Sequence, residues 1–219
     1  MIHYGESLLA KIPVVRQLYA GIKQILEGFS RPGPGRRPHF VLAQTSTRAN
    51  MLMKLFLPFA FAWTGIVFFL IFARSTISVA ASALFIVVAI LFALDIFKKK
   101  IEFGLFVTRW PRCLTVFWIF LVFLYPVIGM ALGHYYPETC MPMAPCPLTV
   151  LAIALVAAAI PHVDRKVYVF LLPWAILSLP KCLGALDCYE DCILFAAGVY
   201  GLVLLVKNWE VLGGRQRHG

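Results

Sequence analysis

Apolar residues gather into six blocks, at about 55–73, 76–97, 114–133, 147–161, 167–186 and 192–208, separated by charged, glycine-rich or proline-rich stretches. Runs of this length predict membrane-spanning helices. The fourth block, "PLTVLAIALVAAAIP", is short. At about 1.5 Å per residue it reaches roughly 22 Å, less than the ~30 Å hydrocarbon layer of a bilayer. Local thinning of the bilayer, or burial against neighbouring helices, would accommodate it. The segment "IEFGLFVTRW", residues 101–110, is too short to cross and is expected along the cytoplasmic interface, with Trp110 at headgroup depth.

Ahead of the first block the pattern changes. Leu8, Ile12, Val15, Tyr19, Ile22, Ile25, Leu26 and Phe29 recur at steps of three and four, while Lys11, Arg16 and Lys23 occupy other faces and Pro13 breaks or kinks the helix. This predicts an amphipathic helix on the membrane surface; a helix seated on a cytosolic partner is the alternative. "SRPGPGRRPHF" follows as a stiff basic linker. The expected organisation is an interfacial helix over residues 1–30, a basic Pro/Gly linker over 31–53, a six-helix transmembrane domain over 54–208 and a cytoplasmic tail over 209–219. The fold class is all-α, a polytopic helical membrane bundle.

Composition agrees. The chain is 61% hydrophobic and 14% charged, against about 25% charged in an ordinary soluble domain. A net charge of +10 would suggest nucleic acid in a soluble protein. Here the basic residues flank apolar blocks, which points to topology and to anionic lipid headgroups, with no nucleic-acid partner. Of the 20 lysines and arginines, all but Arg74 and Lys181 fall on one side of a six-span arrangement. The positive-inside rule then places both termini in the cytoplasm of a multi-pass inner-membrane protein. Lys11, Arg16, Lys23, Lys98, Lys99 and Lys100 are expected to meet lipid headgroups. No secretory signal peptide is read in the opening residues, whose apolar positions alternate with charge.

The orientation gathers chemistry on the outer side. Cys140, Cys146, Cys182, Cys188 and Cys192 fall there, with His134, Glu138, Asp187, Glu190 and Asp191, while Cys113 begins the third span near the cytoplasm. Cysteines facing an oxidising compartment point to disulfides. One arrangement pairs Cys140, Cys146, Cys182 and Cys188 in two bridges over the ends of spans three to six. Cys192 is then packed at the top of span six, Asp187, Glu190 and Asp191 solubilise the loop, and Asp191 lies near a helix N-terminus. The same cysteines could bind a metal, with His134, Asp187, Glu190 or Asp191 as accessory ligands, since thiolates and carboxylates that converge hold zinc. A redox pair is the third reading, although the spacings include no C-x-x-C. No cofactor and no catalytic residue are assigned; nucleotide-binding, serine-hydrolase and H-E-x-x-H motifs are absent.

Asp95 is the one acid within a predicted span and precedes Lys98 by three residues near the inner boundary, which suggests a local ion pair or a snorkelling contact rather than a proton relay. Pro58, Pro126, Pro173 and Pro180 are expected to kink their helices, and Ser78, Ser82 and Gly129 to allow close helix contact.

Two stretches resemble known families. Tyr136-Pro137, Cys146-Pro147 opening a span, Pro173-Trp174 within a span and Asp191 before the last one resemble the C-terminal half of an uncharacterised prokaryotic membrane family, domain of unknown function 6064, over about residues 133–206. This chain is richer in cysteine in the corresponding loop, and the resemblance implies the membrane fold without an activity. "GESLLAKIPVVRQLYAGIKQILEGF", residues 5–29, resembles a segment of another membrane family, domain of unknown function 502, and so reads as an appended interfacial module. Three functions stay open: an accessory or structural membrane protein with disulfide-clamped outer loops, a small solute or metal-ion carrier, or a membrane thiol-disulfide oxidoreductase. The expected partners are the bilayer and a membrane protein or a second copy of the chain.

Overall fold

The structure, a computed structural model, describes residues 42–43, 47–73, 75–103, 105–106, 109–133, 144–160, 162–183 and 189–212. The predicted interfacial helix with Lys11, Arg16 and Lys23, and the positions His134, Cys140, Asp187 and Cys188, lie outside the described residues. Every apolar block forms helix. Helix α1 (Thr47–Trp63) runs on into a π-helical segment (Thr64–Ala73) and is followed by α2 (Thr76–Lys98), α3 (Arg109–Ala131) and α4 (Pro145–Ala158). Then come α5 (Arg165–Ile176), the single turn α6 (Leu179–Cys182), α7 (Asp191–Lys207) and a second single turn, α8 (Trp209–Leu212). A two-residue antiparallel ladder pairs β1 (Leu42–Ala43) with β2 (Leu105–Phe106). Part of the "IEFGLFVTRW" segment is therefore ladder; Ile101 and Phe103 are buried, and Arg109 already opens α3.

Among the described residues, three helical stretches are long and apolar enough to cross a membrane: Asn50–Ala73, Thr76–Lys98 and Cys113–Ala131. The other three blocks form helices of 14, 12 and 17 residues. The fifth block is divided because Pro180 has no N–H to offer the Ile176 carbonyl. The helix stops at Ile176, Ser178 donates back to the Ala175 carbonyl at 2.7 Å, and the chain resumes as the single turn α6.

Local capping sets several of the other boundaries. Ser75 has extended backbone and accepts the Ser78 N–H at 3.1 Å, and Asp164 accepts the Lys166 N–H at 3.0 Å, so each opens its helix as an N-cap. In the π segment the carbonyl of Gly65 accepts the Ser82 hydroxyl of α2 at 2.8 Å. The small residue expected at a helix contact thus also satisfies an irregular backbone group.

Helix α4 is the centre of the bundle. Of its 14 residues only Leu151 is not buried, and it is in contact with α1, α3, α5 and α7. A helix apolar on all sides is stable only if every side is covered. Burial against neighbours is what accommodates this short block. Around it, Phe69 and Phe85 meet Trp174 edge-on at 5.2 and 5.4 Å, which fastens the α1–α2 pair to α5. Trp118 of α3 stacks on Tyr200 of α7 at 5.7 Å. On the outer surface Phe72, Ile77, Phe97 and Val206 are exposed, as a lipid-facing surface requires.

Helix α7 packs closely on its neighbours at two glycines. A Cβ on Gly198 would lie 2.8 Å from the Ala175 Cβ, and one on Gly201 would lie 2.9 Å from Leu172 and 3.1 Å from Ile153. Small residues let helices pack tightly where lipid offers no hydrophobic drive. Replacing Gly198 with Leu is expected to destabilise the protein by about 1–3 kcal/mol, read as a lower unfolding midpoint in detergent. An unchanged midpoint would show that α5 and α7 do not depend on this contact.

Candidate functional site: two buried polar nodes

Charged side chains are costly inside a bundle, so their placement shows where the structure is specified. Among the described residues two such nodes are buried, one at the basic end of the bundle and one at the opposite end.

At the basic end Asp95, one turn before the end of α2, is 6% exposed. Its Oδ2 lies 2.8 Å from the Nζ of Lys54 on α1, itself buried. Its Oδ1 accepts the N–H groups of Lys100 and Ile101 at 3.0 and 2.9 Å. This is possible because Lys99 adopts a left-handed conformation, φ 50°, which ends the helix and folds the chain back. The Asn50 Oδ1 accepts the Phe103 N–H at 3.2 Å, so α1 also holds the returning segment directly. The ion pair expected with Lys98 is corrected: Asp95 pairs with Lys54, 41 positions earlier, and Lys98 is exposed. The reason is geometric, since Lys98 lies on the outer surface of the last turn whereas Lys54 faces α2.

At the opposite end Asp191 opens α7 and is 3% exposed. Its Oδ1 accepts a short hydrogen bond from the hydroxyl of Tyr125 on α3, and its Oδ2 accepts the Cys146 thiol of α4 at 3.5 Å. One carboxylate thereby joins three helices. It also sits in the first turn of α7, where the helix dipole favours an anion. The expectation that Glu190 and Asp191 solubilise an exposed loop is overturned: both are buried, at 2% and 3% exposure. The proximity of Asp191 to a helix N-terminus holds.

The cysteines are also rearranged. Cys146 is a thiol donating to Asp191, and Cys192 is disulfide-bonded. An arrangement that bridges Cys146 and leaves Cys192 unbridged is therefore reversed at both positions. The sulfur of Cys146 is held in the first turn of α4, on the bundle side, against a carboxylate. Cys113 is an exposed thiol. Among the described residues no three His, Cys, Asp or Glu side chains come together as metal ligands. Glu190 and Asp191 belong to the described residues; His134 and Asp187 do not.

Tyr125 and Lys54 were not singled out from the sequence. Lys54 carries a signal nonetheless: it and Asp95 are a cation and an acid set within apolar stretches, and such residues tend to find each other. Tyr125 carries none, because a tyrosine 66 positions from its acid looks like any interfacial aromatic. The Tyr168 hydroxyl, in the first turn of α5, and the Trp118 indole N–H of α3 are buried without a hydrogen-bond partner. They are neutral groups on separate helices and do not extend either node into a polar path.

Residues 39–214 match the family described as Family of unknown function (DUF6064). The chain belongs to this family. The match takes in all six apolar helices and both polar nodes, well beyond the C-terminal stretch that carried the resemblance in the sequence. No curated protein and no solved structure matches the chain.

Two substitutions test the nodes. Lys54→Met leaves the Asp95 carboxylate buried without its cation and should cost about 3–5 kcal/mol. Adding Asp95→Asn, which keeps an oxygen for the Lys100 and Ile101 N–H groups, should recover more than half of that loss. Tyr125→Phe removes a hydrogen bond to a buried carboxylate and should cost about 1.5–3 kcal/mol. Denaturant unfolding in a fixed detergent measures all of these. Full additivity of the Lys54 and Asp95 variants would show that the two side chains do not interact.

Proposed function

We propose that this protein is an accessory, structural membrane protein of six spans with a basic cytoplasmic side, and that it works as a rigid scaffold rather than as a carrier or an enzyme. The observation that carries this reading is α4, buried on all but one position by α1, α3, α5 and α7. A carrier needs a polar site near the midplane reached by an aqueous path. Here the midplane is occupied by Ala, Val, Ile and Leu side chains of α4, and the gap beside Thr149 and Trp174 is too tight for a water molecule. Both polar nodes sit at helix ends and are fully engaged in joining helices.

The oxidoreductase reading has less support. A reactive cysteine needs an electropositive, partly open environment, and Cys146 is buried beside a carboxylate. The basic residues at the termini of α1, α2, α5 and α7 support a cytoplasmic orientation of that end and contact with anionic lipid.

The test is accessibility in intact membranes. Ala152→Cys, Ala154→Cys and Ala157→Cys, each in a Cys113→Ser background, should add no labelling to that of the Cys113→Ser parent when a small, charged thiol reagent is applied from either side. A labelled stripe along α4 would reveal an aqueous pathway and support the carrier. Reporter fusions at Ser30 and Gly219 should both report the cytoplasm; an outer signal from either would overturn the orientation.

A further inference from the structure

A cleft of about 110 Å³ opens at the basic end, between the last turn of α2 and the first turn of α5. Three cations line it, Lys98 at the end of α2 and Lys100 just beyond it on one side and Lys166 of α5 on the other, above an apolar wall of Leu91, Leu94 and Val167. All three lysines are exposed, and none of their ammonium groups is the ion-pair partner of Asp95.

The acids nearby do not cancel this charge. Asp95 also lines the cleft, but its Oδ2 is held by Lys54 and its Oδ1 by two backbone N–H groups. Asp164 is the N-cap of α5, with Oδ1 on the Lys166 N–H. Among the lining residues that leaves three ammonium groups against the half-buried Asp164 carboxylate. Arg165, next in the chain, is turned away over the Trp209 ring at 5.2 Å and does not crowd the cleft. The left-handed turn at Lys99 brings Lys100 back toward the cleft after the helix has ended.

We propose that this cleft is a binding site for the headgroup of an anionic phospholipid. The headgroup phosphate sits among Lys98, Lys100 and Lys166, and the start of an acyl chain lies along Leu91, Leu94 and Val167. The charge selects an anion, and the apolar wall leading from the cations along the bundle selects one that carries a hydrocarbon chain. Basic pockets between helices at the cytoplasmic surface take lipid headgroups for these reasons. The site rests on the reading of the basic end as the side that meets anionic lipid, and it adds a defined stoichiometric position to that general attraction.

The experiment is native mass spectrometry of the full chain released from detergent micelles, titrated with phosphatidylglycerol, with phosphatidylcholine and with inorganic phosphate. Phosphatidylglycerol should bind one molecule per chain more tightly than phosphatidylcholine, and millimolar phosphate should not displace it. Lys98→Gln, Lys100→Gln and Lys166→Gln should each weaken binding about fivefold. Lys207→Gln, an exposed cation at the end of α7 outside the cleft, should leave it unchanged. Equal binding of the two lipids, displacement by phosphate, or an equal loss on Lys207→Gln would overturn the site. Because micelles impose no orientation, a failure here is distinct from a failure of the topology reporters.

Discussion

Helix α4 must be covered on every side, and the rest of the bundle follows from that requirement. Its sequence has no polar face and no charge, only Thr149 and Cys146 among apolar residues. Thr149 returns its hydroxyl to the Pro145 carbonyl at 2.8 Å, so the helix presents no unmet hydrogen bond to its neighbours there. Four helices close around it, and their own outward surfaces are left to carry the exposed Phe, Ile, Leu and Val side chains. A short apolar helix can exist in this position because it relies on protein for its surroundings.

The polar nodes act on the ends of this arrangement. Asp191 fastens the start of α4 through the Cys146 thiol and reaches α3 through Tyr125, so the opening turns of α4 and α7 are fixed to the same side chain. Asp95 and Lys54 fasten the α1–α2 pair at the basic end, and the two backbone N–H groups on Asp95 set where the chain leaves α2. Buried ion pairs of this kind contribute little net stability but penalise the wrong pairing heavily. Their effect here is to define which helix ends meet. With α4 filling the interior, such a bundle is suited to holding a shape in the membrane.

Much of this was legible in the sequence where one-dimensional pattern was enough. The six apolar blocks became helices, the fourth was recognised as short, and Ser82 was marked as a contact residue before it was found on the Gly65 carbonyl. What depended on long-range placement was not legible. Asp191 looked like a loop solubiliser because it lies among acids and cysteines, yet the start of α7 is turned inward against α3 and α4. Asp95 has a cation three residues away in sequence and binds one from another helix instead. Gly198 and Gly201 read as ordinary small residues until Ala175 and Leu172 were placed against them. The single-turn α6 follows from Pro180, but whether a proline kinks or interrupts a helix is decided by what surrounds it.

Hydrogen–deuterium exchange, followed helix by helix on the protein in lipid nanodiscs, tests the central position of α4 most directly. Burial by protein on all sides predicts that the amides of Leu148–Ala158 exchange most slowly in the chain, more slowly than the longer α1 and α2, and that they lose protection only with global unfolding. Exchange in α4 as fast as in the terminal turns of the other helices, or loss of its protection ahead of theirs in mild denaturant, would contradict the account.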